Sequence, residues 1–228
     1  AFGVRNMVFD WLFEGQNAAR LGKGLLLTAQ ISLISVALSC VFGTLFGLML
    51  RADNRIVRFI GRFYLETVRI MPILVWLFGF YFGFATWTGI HIDGLWVCIW
   101  VFVLWGVAEM GDLVRGALQS IDKHQIEAGL ALGLNRRQVF LYIEAPQGLR
   151  RVLPSAINLF TRMVKTSSLA ALIGVIEVVK VGQQIIENSL LTQPNASLWV
   201  YGLIFILYFI VCYPLSLVAN RLEKKWAV

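Results

Sequence analysis

Glu109, Asp112, Arg162 and Lys165 stand inside long apolar runs of a 228-residue chain. An ionised side chain at the centre of a membrane helix costs about 2.5–3.5 kcal/mol on insertion scales, so such residues are functional candidates by default. Glu109 and Asp112 lie three apart and share a helix face, which Arg115 continues. Arg162 and Lys165 are followed at once by Thr166, Ser167 and Ser168. The set offers acceptors for an ammonium, donors for a carboxylate, and hydroxyls for either, as binding a zwitterionic solute requires. The two carboxylates incline it slightly towards a cationic or neutral solute, although Arg162 and Lys165 would equally serve an acidic one. The competing structural readings are an Asp112–Arg115 pair one turn apart, a Lys165 ion pair that fixes helix packing, and a packing kink at Thr166–Ser168.

No catalytic constellation accompanies these residues. His91 and His124 fall on opposite sides of the membrane in the topology below. Cys40, Cys98 and Cys212 are far apart in apolar stretches, without metal-ligand spacing, and read as small buried hydrophobes. The single Gly-Lys pair, Gly22-Lys23, is followed by Gly24 and lacks the upstream Gly of a phosphate-binding loop. This chain therefore cannot hydrolyse ATP by itself, energy for any pumping must come from another subunit, and no cofactor is expected in this chain.

The elements that hold these charges are membrane spans. The chain is 58% hydrophobic and 14% charged, with a mean hydropathy of +0.74. A soluble domain is about a quarter charged. Five segments are apolar enough to cross, at 24–50, 64–84, 95–118, 152–179 and 198–218, each near the ~20 residues a crossing needs. The fourth is interrupted at its hydroxyl-rich stretch, and Pro214 predicts a local kink in the fifth. Residues 1–20, with Phe2, Val8, Phe9, Trp11, Leu12 and Phe13, suit an interfacial helix. The first span follows Asp10, Glu14 and Arg20 and is too long for a signal-peptide core, so no cleavable leader is expected.

The formal net charge of +7 reflects topology rather than nucleic-acid binding. Arg51, Arg55, Arg58, Arg62 and Arg69, the basic residues between 115 and 151, and Arg221, Lys224 and Lys225 all fall on one side of a five-span chain. Arg5, Arg20, Lys23 and Lys180 fall on the other. The positive-inside rule then places the N-terminus outside and the C-terminus inside.

Between the third and fourth spans, residues 120–151 form a long loop on the basic side. Ile126, Leu130, Leu134, Val139, Phe140 and Ile143 give it two short amphipathic stretches. Gly133 permits a sharp turn between them. Asn135 and Gln138 have capping-box spacing for the second helix, and Pro146 predicts its end. The apolar side of this loop either packs on the protein's own spans or docks a partner.

Here the spacing becomes specific. Glu127-Ala128-Gly129, three residues, Gly133, nine residues, Ile143, Glu144 and Ala145-Pro146 resemble the EAA loop of permease subunits in bacterial ABC importers, with Gly129 in place of Ala and Ala145 in place of Leu. Residues 111–121, the Glu66…Arg69…Pro72 spacing, Lys165-Thr166-Ser167-Ser168-Leu169, Glu177 and Gln183-Gln184 are similar to the polar amino acid branch of that family. The resemblance implies an all-α membrane protein with the type I ABC importer permease fold. It implies a cytoplasmic-membrane location, an ATP-binding partner, a second permease subunit of the same or a similar chain, and an extracytoplasmic amino-acid-binding protein. Glu127, Ala128, Gly129, Gly133, Ile143 and Pro146 would be the ATPase-coupling element. The alternatives are a secondary amino acid transporter driven by an ion gradient, and a channel or membrane-embedded enzyme. The first would show inverted repeats or paired broken helices; one clear break is visible.

Overall fold

A computed structural model describes residues 15–189 and 191–226, and all regular structure among them is helical. Residues 1–14 of the interfacial helix expected over 1–20 lie outside this range, and 17–20 form the start of the first long helix. Helix α1 covers Asn17–Met49. Three of its small polar residues bond back along the helix through their hydroxyls and do not break it. Thr28 donates to the Gly24 carbonyl at 3.0 Å, Ser32 to Thr28 at 2.7 Å and Thr44 to Cys40 at 2.6 Å. Helix α5, Gly94–Gln119, is capped by Asp93, whose carboxylate accepts from the Leu95 N–H at 2.8 Å.

The α1–α5 pair is the spine of the fold. Its close approach comes from small residues spaced by four. Ser39 lies against Gly106, Gly43 against Met110, and Gly47 against Gly111 and Val114. A Cβ at Gly47 would sit 2.6 Å from the Gly111 carbonyl oxygen. Between apolar helices in lipid, such stripes let backbones pack closely where no hydrophobic driving force is available.

The predicted second span, 64–84, is not one helix. Helix α2, Arg55–Ile70, is capped by the Asn54 side chain, and the chain then turns by 98°. Met71 is extended, with ψ 131°, because the residue before Pro72 is driven out of the helical region. Helix α3, Ile73–Phe78, continues through a π turn at Gly79–Gly83 into α4, Phe84–Thr88, which ends at Gly89 with φ 70°.

The basic-side loop folds as α6, Lys123–Ala131, and α7, Arg136–Val139, followed by a π turn at Phe140–Glu144 and α8, Ala145–Thr166. Pro146 does not end the helix as expected. The Ala145 N–H bonds five residues back to Phe140, and the π turn absorbs the proline, which sits in the first turn of α8, where its missing N–H is tolerated. Helix α8 tightens into a 3-10 segment, Ser167–Ile173, within the predicted fourth span of 152–179. Gly174 follows at φ 84°, and α9, Val178–Ser189, leaves at 49°. Helix α10, Ala196–Trp226, runs through Pro214 unbroken.

Helices α1, α5 and α10 are long and apolar enough to cross a membrane, and each bent pair counted as one crossing brings the number to five. The core lies between α1, α5 and α8, with Ile31, Leu77, Phe102 and Leu159 almost wholly buried. A second cluster, Leu21, Val178, Val181, Val200 and Ile204, joins α1, α9 and α10. Cys98 and Cys212 are buried and all three thiols are free.

Candidate functional site

Two groups of residues emerge, one inside the bundle and one on the basic-side loop. In the bundle, α5 presents Glu109, Asp112 and Arg115 on one face. The C-terminal end of α2 brings Arg69 to both acids, with Nε 3.1 Å from a Glu109 oxygen and Nη1 2.8 Å from an Asp112 oxygen. Helix α8 brings Arg162, whose Nη2 donates to the other Glu109 oxygen at 2.8 Å. Arg115 donates to Asp112 at 2.6 and 3.0 Å. Two carboxylates are thus bridged by three guanidinium groups from three helices.

The acids are largely sheltered, with side chains 13% and 22% exposed, while Arg162 is 55% exposed and stacks over the Trp105 ring at 5.4 Å. Every carboxylate oxygen already has a guanidinium partner, through hydrogen bonds at three of them and an ion pair at Glu109 Oε1, so both acids are largely committed within the cluster. The cluster carries one formal positive charge in excess, and its exposed donors favour an anionic group such as a carboxylate. This weakens the sequence-based inclination towards a cationic solute.

The remaining predicted residues lie elsewhere. Lys165 has no ion pair among the described residues and borders a cavity of about 350 Å³ against α10, beside Tyr208, Cys212 and Ser216. The Thr166, Ser167 and Ser168 hydroxyls donate back to the Arg162, Val164 and Lys165 carbonyls at 2.8, 2.7 and 2.8 Å. Such back-bonding accompanies the change to 3-10 geometry. Ser167 is wholly buried. Glu109, Asp112 and Arg162 therefore converge, whereas Lys165, Ser167 and Ser168 do not join them.

Two structural partners escaped sequence reasoning. Arg69 counted there as a basic-side charge and as part of the Glu66…Arg69…Pro72 family spacing, and nothing local signalled that it would reach α5. Glu177 carried a family match alone. It is fully buried at the start of α9, where its carboxylate accepts from the Lys180 N–H at 2.9 Å and shares the Thr28 hydroxyl, 3.2 Å away, with the Gly24 carbonyl. Thr28 in turn accepts from the Val178 N–H at 3.3 Å. Glu177 thus caps α9 and fastens it to α1. The available signal was an acid directly before an amphipathic helix.

On the loop, α6 is capped by Asp122, and the turn after it is made by Gly133 at φ 88°. Asn135 and Gln138 form the expected capping box, with hydrogen bonds of 2.9 and 2.8 Å. Gly129 is buried, and a Cβ there would come within 2.6 Å of Ile143 Cδ1. Its small size, like Ile143 itself, therefore serves packing within the loop. Glu127 and Ala128 face outward, and Leu132 is 85% exposed. The loop is bolted to the bundle at two points. Glu144 pairs with Arg51, at the end of α1, at 2.7 Å, and Arg151 donates to the Ser120 carbonyl and hydroxyl at 2.6 Å. An exposed helix on a braced frame suits transmission of force.

Residues 39–228 match the family model of the binding-protein-dependent transport system inner membrane component. The chain belongs to this family. It is an inner-membrane transport component with several spans, and permeases of such systems work alongside binding-protein and ATPase subunits. It is 31% identical over 219 residues to a probable glutamine ABC transporter permease of Bacillus subtilis (strain 168), covering 96% of this chain and 99% of that protein. It is 30% identical to the glutamine transport system permease of Escherichia coli (strain K12), over 97% of this chain and all of that one. An L-cystine transport permease of Bacillus subtilis (strain 168) is 31% identical over 86% of this chain and 84% of its own length. The fold is shared with a solved amino acid ABC transporter, at TM-score 0.84 and 23% identity over 95% of this chain and 98% of that one. It is shared also with the MetNI methionine ABC transporter in an inward-facing conformation, at TM-score 0.69 and 18% identity over 90% and 95%. Family membership sets aside the gradient-driven carrier, the channel and the membrane enzyme.

Proposed function

We propose that this chain is the transmembrane subunit of an ATP-driven importer for polar amino acids, paired with a second permease subunit. An extracytoplasmic binding protein delivers the amino acid, and a separate ATPase, carrying ATP and Mg, docks on the cytoplasmic face. The N-terminus lies outside and the C-terminus inside, so that α6 faces the ATPase. The relatives' names, for glutamine and cystine permeases, support the cargo class. The observation that carries the coupling role is the outward Glu127 and Ala128 on a short helix held by Gly133 and the capping box.

Closure of the ATPases moves α6, and the frame passes the displacement to α8. That helix runs about 33 Å at 1.5 Å per residue, from the loop to Arg162 and Lys165. The Arg162–Glu109 contact, where α8 meets α5 and α2, is the proposed gate. The gate opens when α8 shifts relative to α5. Arg162, Lys165 and Ser168 remain candidates to contact the solute's polar ends. Ser167 is left out because its hydroxyl is internally bonded and buried.

The test is uptake by the assembled complex in proteoliposomes, with labelled glutamine among a panel of amino acids and ATP inside. ATP-dependent uptake of a polar amino acid, lost when the ATPase subunit is omitted, is the expected result. Uptake that persists without ATP but follows an ion gradient would overturn the reading.

A further inference from the structure

Helix α2 has three distinct sides. Gly61, Leu65 and Val68 are buried against α1 and α5, with the Tyr64 hydroxyl donating to the Leu104 carbonyl at 2.5 Å. Ile56, Ile60 and Phe63 form a second, exposed apolar side at four- and three-residue spacing, with Phe59 at its edge; Phe59 is 72% exposed. Arg55, Arg58 and Arg62 form the third side, exposed and without an ion pair among the described residues. Glu66 continues that stripe one turn on, and Arg69 beyond it is committed to the acids of α5.

The bend sets the angle between this helix and the segment that follows it. The segment Ile73–Thr88 lies at 98° to α2. If the apolar Ile73–Thr88 segment runs along the membrane normal, α2 lies in the membrane plane. In that orientation the apolar side meets acyl chains and the arginine side meets headgroups, as in an interfacial amphipathic helix. Arg55, Arg58, Arg62 and Phe59 enclose a recess of about 360 Å³, with an aromatic ring beside three guanidinium groups. Guanidinium groups bind phosphate oxygens in a bidentate manner, and an adjacent apolar surface holds the chain attached to that phosphate.

We propose that the Arg55–Arg58–Arg62 side of α2 is a binding site for anionic phospholipid, which anchors the helix in the leaflet on the basic side of the membrane. Charge complementarity selects this occupant. Three cations without an ion pair among the described residues, beside an exposed apolar face, match an anionic headgroup with its acyl chains, and a zwitterionic headgroup would bring its own cation against them. Lipid binding at this site does not depend on which solute the protein carries.

Native mass spectrometry of the full chain in detergent, titrated with phosphatidylglycerol or phosphatidylcholine, tests this. Wild type is expected to retain phosphatidylglycerol preferentially. The triple variant Arg55→Gln, Arg58→Gln, Arg62→Gln is expected to lose at least about tenfold in apparent affinity for it, since each basic residue contributes about a factor of five near an anionic surface. The matched Arg→Lys triple variant should keep much of the preference, and unchanged melting curves would show that the variants fold. Equal retention of both lipids by wild type overturns the proposal. So does unaltered phosphatidylglycerol binding by the Gln variant. A Gln variant that keeps its lipid but binds less ATPase, or changes oligomeric state, would make the stripe a protein interface and likewise overturn it.

Discussion

Arg162 on α8 reaches Glu109 on α5 across 53 residues of sequence, Nη2 to Oε2 at 2.8 Å, and Arg69 on α2 holds the other oxygen of the same carboxylate at 3.1 Å. One acid therefore joins three helices that belong to different parts of the chain. Removing it leaves Arg162 without its carboxylate partner, while Arg69 keeps Asp112 at 2.8 Å.

For Glu109→Gln, the expected outcome is uptake reduced at least about tenfold with folding retained at a cost of about 1–2 kcal/mol, a charged hydrogen bond discounted for partial exposure. If the contact is a gate, ATP hydrolysis persists while transport falls, so the two are measured together in proteoliposomes. Full uptake with unaltered substrate preference removes Glu109 from the mechanism.

Glu127→Ala should leave the melting temperature within about a degree, because an exposed substitution without partners stays within about 0.5 kcal/mol. The same variant should bring down far less ATPase in copurification and lose ATP-dependent uptake. Undiminished ATPase capture and uptake would take Glu127 out of the docking surface.

The glycine stripe separates two kinds of small residue. At Gly47 an added methyl meets the Gly111 carbonyl, which is backbone and cannot step aside. At Gly129 it meets the end of a flexible Ile143 side chain. Gly47→Ala is expected to cost about 1–3 kcal/mol through overpacking. Gly129→Ala should cost less and recover when Ile143 is shortened to Val. Thermal unfolding in detergent compares them, and equal losses without recovery would contradict this packing.

Glu177→Ala removes the cap of α9 and the partner of Thr28 in one step. A loss of about 1–3 kcal/mol is expected from the lost cap and the orphaned donors. Glu177→Gln should recover part of it, since an amide oxygen still accepts from the backbone. Hydrogen exchange at the Val178–Lys180 amides reports the cap directly, and protection unchanged in the Ala variant would refute the assignment.

Composition and spacing were enough to place this chain in the membrane. An apolar excess beyond what one core can bury, spread over five segments, required a bilayer, and the spacing from Glu127 to Pro146 carried the family resemblance. The turn at Gly133 and the Asn135–Gln138 box were legible because both depend on near neighbours and on intrinsic backbone preference. Other features depend on residues far apart in sequence. That the chain turns by 98° at Pro72, while Pro146 and Pro214 leave their helices unbroken, follows from whether surrounding turns and packing absorb the missing N–H. That Arg69 and Arg162 neutralise Glu109 and Asp112, while Lys165 stands apart against α10, follows from how α2, α5, α8 and α10 pack. Hydropathy and local propensity are properties of a stretch of chain and can be read along it. Charge pairing in a low-dielectric bundle depends on which helices meet, and only the tertiary structure decided that.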